Sequence, residues 1–333
     1  MLNNMEQLQN APLAFSAEEG LISATSRIAY ETKDKSALLN IELFENETND
    51  DSPIILLLHG VCASAETKSV QSIVAAAQHN SVKVAVLELE GHGLSSGKRM
   101  ACADFDRHLG HVLEFVQAAV PAFRGEDEHL TSVPYYFAAN SLGGVLAIYA
   151  AEQISKKREL YPSAFRGVAA IVPAVGVDQR NIPSAPIVFG LSILAAIVPT
   201  MQLSLTPHED PSSYSCPNSS TRNFSGHWPL ATSKMLLDVT TFKVKNDLEN
   251  GALSLSSIDK VLIFGGEMDD MVPFDVLKVF YHTISPKKKH MVSVGGGHDM
   301  MSFKSSSDEV TKALFEWILL GDVVTTSKAI VGP

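Results

Sequence analysis

Short, almost wholly apolar runs alternate along the chain with longer runs of helical pattern. Residues 54–58, 82–89, 135–139, 168–172, 261–264 and 291–294 have the continuous apolar character of strands buried on both faces. Helical patterns fill the intervals at about 68–79, 104–120, 142–154, 274–283 and 308–320. This alternation predicts an α/β fold, a mostly parallel central sheet with helices on both faces. Two earlier runs, near 26–32 and 38–44, read as edge strands ending in the acidic turn 46–51. No internal repeat breaks the sequence up further.

One interval does not fit the rhythm. Val172 and Val261 are separated by 88 residues, whereas a crossover with its helix needs about a dozen to thirty. The expected organisation is a core of residues 24–175 and 236–326, an inserted cap or lid at 176–235, and an N-terminal extension at 1–23. Within the cap, PIVFGLSILAAIVPTMQL at 186–203 carries no charge, and a Ser/Pro-rich loop at 206–220 follows it. A membrane span needs about twenty apolar residues. Here Gly190, Pro199 and the polar Ser192, Thr200 and Gln202 interrupt the run, and its flanks must rejoin one sheet. A cap helix with an exposed apolar face is therefore expected, in preference to a spanning helix or an ordinary buried one.

Composition narrows the classes. Apolar residues make up 45% of the 333, which excludes a disordered or collagen-like chain. A net charge of −11 argues against nucleic acid as a partner, because phosphate contacts need clustered Lys and Arg. Cys62, Cys102 and Cys216 are too few and scattered for a disulfide framework and read as thiols in a reducing compartment. The first residues lack the basic start and apolar stretch of a secretory signal, so a cytoplasmic protein, peripheral on membranes, is expected and the sequons at Asn46, Asn218 and Asn223 carry no weight. No Gly-rich dinucleotide or Walker motif follows a strand, so no cofactor is expected. Asp104, His108 and His111 share a helical face but lack a further ligand, so the face reads as solvated and no metal is expected.

The strongest chemical signal is Ala139-Asn140-Ser141-Leu142-Gly143-Gly144, set between the apolar run VPYYFAA and the helical run LGGVLAIYAAE. A nucleophilic serine at a sharp strand-to-helix turn needs small residues two before and two after it, and Ala139 and Gly143 supply them. The competing reading is a serine that merely caps a helix. Upstream, His59-Gly60-Val61 directly follows the run PIILLL, and its glycine frees the backbone to turn toward the serine. The backbone amides of Val61 and Leu142 are then candidates for an oxyanion hole.

An acid and a base follow in the chain order serine, aspartate, histidine. Asp269 stands in KVLIFGGEMDDMVP and His298 in HMVSVGGGHDMM, each just past a strand-like run, where open α/β sheets place functional groups. Asp270 and Asp299 compete for the role of acid. A turn aspartate or a loop histidine is commonplace alone. Four signals in this order, each at an element end, are not.

These segments resemble the monoacylglycerol lipase and lysophospholipase-like branch of the α/β-hydrolases, of the serine aminopeptidase S33 type. The resemblance rests on LLLHGVCAS at 56–64, EGHGLSSGKRM at 90–100, ANSLGG at 139–144, GGEMDDMVP at 265–273 and GGGHDMM at 295–301, and spans about residues 25–320. The block from Gly91 to Arg99 is the part most particular to this branch; it reads as a rim-shaping loop in which His92 is structural. In the branch the acid stands three residues after a glycine and four before a Val-Pro proline, a register that Gly266 and Pro273 give to Asp269. The resemblance implies a cap over an apolar acyl channel. The elbow reads Ala-Asn where the branch usually has Gly-His, and the cap sequence matches nothing in it.

The expectation is a serine hydrolase of carboxylic esters, acting on monoacylglycerol or a lysophospholipid through Ser141, His298 and Asp269. His59, Gly60, Ile193 and Leu194 are expected at the substrate, and the cap at a membrane surface. The alternatives are an esterase or thioesterase for small polar or aryl acyl groups, and a non-catalytic hydrolase fold serving as a binding module.

Overall fold

The computed structural model describes residues 21–45, 50–125, 128–178, 180, 182–204, 206–209 and 222–323. The N-terminal extension up to residue 20, most of the turn after residue 45, and most of the Ser/Pro-rich loop with Cys216 and Asn218 lie outside them.

Eight strands form one sheet: β1 (Ser26–Glu31), β2 (Leu38–Phe44), β3 (Ile54–Leu58), β4 (Lys83–Glu88), β5 (Tyr135–Asn140), β6 (Phe165–Ile171), and later β9 (Lys260–Gly266) and β10 (Lys288–Val294). Their spatial order is β1-β2-β4-β3-β5-β6-β9-β10. The pairs from β4 to β10 are parallel, while β2 runs antiparallel to both β1 and β4. The sequence led us to expect two edge strands at the start, but only β1 is an edge. β2 lies inside because its residues 40–44 pair with β4 on the side away from β1.

The period-two geometry of a strand divides the apolar residues between two cores. Ile54, Leu56 and Leu58 of β3 join the core beneath α2 (Phe105–Arg124) and α3 (Leu142–Lys156). Ile55 and Leu57 point the other way, toward α1 (Lys68–His79) and α8 (Lys304–Leu319). α3 is apolar on nearly all sides because it is packed between the sheet and α2. Asp104 caps α2, its carboxylate accepting from the amides of Asp106 (2.9 Å) and Arg107 (3.1 Å). His108 and His111 on that helix are buried, which corrects the solvated face expected from sequence. The His108 ring spends its Nδ1 on the Asp104 carbonyl at 2.8 Å.

The insertion between β6 and β9 holds α4 (Ala185–Ile197), the short antiparallel pair β7 (His208–Glu209) and β8 (Gly226–His227), and α5 (Leu230–Asp238). A π-helical turn, Val239–Lys243, carries α5 on into α6 (Val244–Glu249), so the expected boundary at 236 falls inside a helix. α7 (Phe274–Thr283) follows β9. Among the described residues, no helix is long and apolar enough to cross a membrane.

The insertion is tied back to the core at its returning end. The Phe224 amide donates to the Cys62 carbonyl at 2.9 Å, and the Asn223 carboxamide oxygen accepts from the Ser64 (2.7 Å) and Thr67 (3.1 Å) hydroxyls. The Arg222 guanidinium meets Glu42 at 2.7 Å and Glu66 at 3.0 Å.

Candidate active site

Ser141 occupies the turn between β5 and α3 with φ 51° and ψ −115°, a left-handed conformation that costs an L-residue energy and that the surroundings must enforce. Its amide donates to the Ile171 carbonyl at 3.0 Å, and its carbonyl accepts from the amides of Ala174 (3.0 Å) and Val145 (3.2 Å). The chain leaving β6 makes this possible by bending at Val172, itself at φ 40°. Gly143 is required by closeness: a Cβ there would lie 2.5 Å from the His59 carbonyl oxygen and 2.8 Å from that of Leu58.

The imidazole of His298 bridges serine and aspartate. Its Nε2 lies 2.9 Å from Ser141 Oγ and its Nδ1 lies 2.9 Å from Asp269 Oδ2. A carboxylate accepts only, so Nδ1 carries the proton and Nε2 presents its lone pair to the hydroxyl. The other Asp269 oxygen accepts from the amides of Met271 (2.9 Å) and Val272 (2.8 Å), which fixes the carboxylate's direction. Asp269 comes off the end of β9 and His298 off the end of β10, neighbours in the sheet. Asp270 and Asp299, the competing acids, are exposed, whereas Asp269 is buried against the imidazole.

Val61 and Leu142 carry the two amides expected at an oxyanion hole. Val61 lines the cavities beside Ser141, and Leu142 is the first residue of α3, where amides lack intrahelical acceptors. Among the described residues neither amide donates to a protein acceptor. His59 is a correction: it lines neither cavity beside Ser141 and is completely buried. Its Nδ1–H donates to the Gly60 carbonyl (2.7 Å) and its Nε2 accepts from the Leu89 amide (3.1 Å), so it clamps the end of β3 to that of β4. Burial holds it neutral, pulling its pKa down to about 4. Gly60 does line the site.

The block from Gly91 to Arg99 also lies elsewhere than expected. It wraps the buried carboxylate of Glu88, which accepts from the amides of Ala65 (3.0 Å) and Leu94 (2.5 Å), rather than forming a rim. Gly93, at φ 51°, has no room for a Cβ, which would fall 1.9 Å from the Glu88 carboxyl carbon. Burial outweighs the hydrogen bonds and raises the Glu88 pKa. His92 is buried, consistent with a structural part.

Two cavities meet at Ser141. One, of about 300 Å³, is the smaller and the more polar of the two, with Thr67, Ser69, Asn140, Asp270, Asp299 and Ser302 in a wall whose surface is otherwise largely apolar. The other, of about 590 Å³, runs beneath the insertion and is walled mostly by apolar residues such as Ala174, Leu191, Leu230, Leu236, Leu237 and Val272, with Thr206, Ser233, Lys234 and Thr240 among them. Val61, Ser141, Trp228, Met271 and His298 line both. Ile193 and Leu194 line neither: they lie outward on α4, 47% and 41% exposed, with Phe189 at 68% and Ile197 at 71%. From α4 it is Leu191 that faces the chamber. Sequence reading missed Trp228 and the α5 wall, although the apolar spacing of Leu230, Leu236 and Leu237 was there to be read.

The eight-stranded sheet, the strained serine after β5 and the order of the three residues define an α/β-hydrolase. More narrowly, the chain belongs to the family described as serine aminopeptidase, S33, which matches residues 50–303. No curated protein matches the chain. Among solved structures it is similar to a soluble variant of monoglyceride lipase from Saccharomyces cerevisiae in complex with a substrate analogue, at TM-score 0.70 and 14% identity over 95% of this chain and 100% of that one. It is also similar to a monoacylglycerol lipase of Paleococcus ferrophilus (TM-score 0.59, 19% identity, 84% of this chain and 98% of that one). Est1E of Butyrivibrio proteoclasticus, solved with ferulic acid, is a further likeness (TM-score 0.56, 19% identity, 88% and 98%). At these identities the likenesses speak for the fold.

Proposed function

We propose that the protein hydrolyses carboxylic esters of lipids, with monoacylglycerol as the preferred substrate. The observation that carries this is the unbroken hydrogen-bond chain from Ser141 through His298 to Asp269, placed where a larger, apolar chamber joins a smaller and more polar one. The acyl chain lies in the apolar chamber and the alcohol in the polar one. Ser141 Oγ attacks the ester carbonyl as His298 Nε2 takes its proton, and Asp269 stabilises the imidazolium that forms. The amides of Val61 and Leu142 receive the developing oxyanion. Collapse expels the alcohol, which takes the proton from His298, and water then releases the fatty acid by the same path. Among the residues lining the polar chamber are Asp270 and Asp299 and no Lys or Arg, which favours a neutral glycerol over the phosphate of a lysophospholipid.

The cap supports a second element of the reading, reversible contact with a lipid surface. α4 carries no charged side chain and leaves Phe189, Ile193 and Ile197 exposed beside the acyl chamber. Profiling hydrolysis across glycerol, phospholipid, aryl and thioester substrates of one acyl chain tests the assignment. Fastest turnover of the glycerol ester supports it, and a preference for short aryl esters or thioesters sinks it in favour of the small-substrate reading.

A further inference from the structure

Asn140 is among the polar side chains of the smaller chamber that the mechanism leaves without work. Asn140 immediately precedes the serine and lines that chamber but not the apolar one. Its carboxamide oxygen is enclosed and has no hydrogen-bond donor among the described residues. A buried acceptor without a donor is costly, and native structures rarely retain one without a use. The carboxamide lies against the turn that carries the Val61 amide: a Cβ on Gly60 would be 3.2 Å from Asn140 Nδ2 and 3.2 Å from Ser141 Cβ. As it stands the oxygen has no surface open to the chamber; a half-turn about Cβ–Cγ, which exchanges oxygen and nitrogen in place, is the movement that offers it there as an acceptor.

We infer that Asn140 is the residue that reads the alcohol half of the ester, by hydrogen-bonding a free hydroxyl of that alcohol as it sits beside Ser141. This rests on the ester-hydrolase reading above and deepens it. An alcohol that carries hydroxyls completes the carboxamide's bonding. A plain alkyl alcohol of the same size leaves a polar group in the chamber unpaired. Selectivity for the leaving group then lies in the elbow itself, at a position set by β5, whereas the acyl group is selected by the insertion. The alternative is that Asn140 only packs the Gly60 turn, in which case every ester suffers alike when it is changed.

The test compares the glycerol monoester and the propyl ester of one medium-chain acid, by the ratio of their kcat/KM values. One neutral hydrogen bond corresponds to roughly threefold to tenfold. The wild-type enzyme is expected to favour the glycerol ester by at least that factor. Asn140→Ala brings the ratio close to one, and Asn140→Asp, which keeps oxygens on the same stem, holds it within about twofold of wild type. A ratio unchanged in Asn140→Ala overturns the inference, whether both esters are slowed equally or neither is slowed. Should Asn140→Ala fail to fold, wild-type rates on glycerol, ethylene glycol and propyl esters decide: no decline along that series overturns it. If the wild-type protein cleaves none of these esters, the ester-hydrolase reading itself has failed and the inference falls with it.

Discussion

The carboxylate of Asp269 divides its work: Oδ2 lies 2.9 Å from His298 Nδ1, while Oδ1 is held by the amides of Met271 and Val272. The side chain therefore arrives with its direction already fixed. It holds the imidazole in the tautomer that leaves Nε2 free to accept the serine proton. Asp270, one residue on, points into the polar chamber. Asp269→Asn is expected to lower kcat by about ten-thousandfold, because an amide NH₂ turned toward Nδ1 favours the wrong tautomer. Asp270→Asn is expected to stay within about tenfold of wild type. Steady-state kinetics on one soluble ester distinguishes the two, and a reversed order contradicts the assignment.

Exposure separates two jobs within α4. Leu191 faces the larger chamber, whereas Ile193 and Leu194 face outward. Replacing Ile193 and Leu194 together by serine is expected to weaken binding to phospholipid vesicles and to slow hydrolysis of long-chain monoacylglycerol presented in them. A short water-soluble ester is expected to be cleaved at the wild-type rate. Vesicle sedimentation with parallel assays on both substrates checks this, and equal loss on both contradicts a surface role.

What the sequence made legible was local chemistry tied to a strand end. The helices Lys68–His79 and Phe274–Thr283 fall where their pattern put them, and serine, aspartate and histidine each follow a strand as read. What stayed hidden depends on contacts across the chain. α4 is apolar all round, so no periodicity marks which side faces the chamber, and Leu191 could not be told from Ile193 or Leu194. His59 looked like a site residue because it adjoins Gly60, yet the Leu89 amide that occupies its ring comes from the end of β4. The burial of His108 and His111 and the inner place of β2 likewise follow from packing and pairing that the sequence does not spell out.

The buried histidines make stability depend on pH. His59 titrates at about 4 when folded because burial disfavours its charge, against about 6.5 in the unfolded chain. Between those values the unfolded state binds more protons, so stability is full above pH 6.5 and falls as pH drops toward 4. His92 and His111 are shifted downward by burial too and act in the same direction, while the raised pKa of Glu88 opposes them. His59 alone accounts for a loss of about 2 kcal/mol between pH 7 and pH 5. Urea unfolding at the two pH values, with imidazole resonances followed by NMR, checks both size and cause. A His59 ring that titrates near 6.5 contradicts this.

The central claim is that Ser141 is an activated nucleophile, and a fluorophosphonate probe tests it most directly because the probe requires the serine to attack. The account predicts one covalent adduct per wild-type chain, located on Ser141. Ser141→Ala is expected to melt within a few degrees of wild type, to take up no label, and to lose monoacylglycerol turnover by several orders of magnitude. A wild-type protein that is folded yet unlabelled, or a Ser141→Ala variant with turnover within tenfold of wild type, would contradict it.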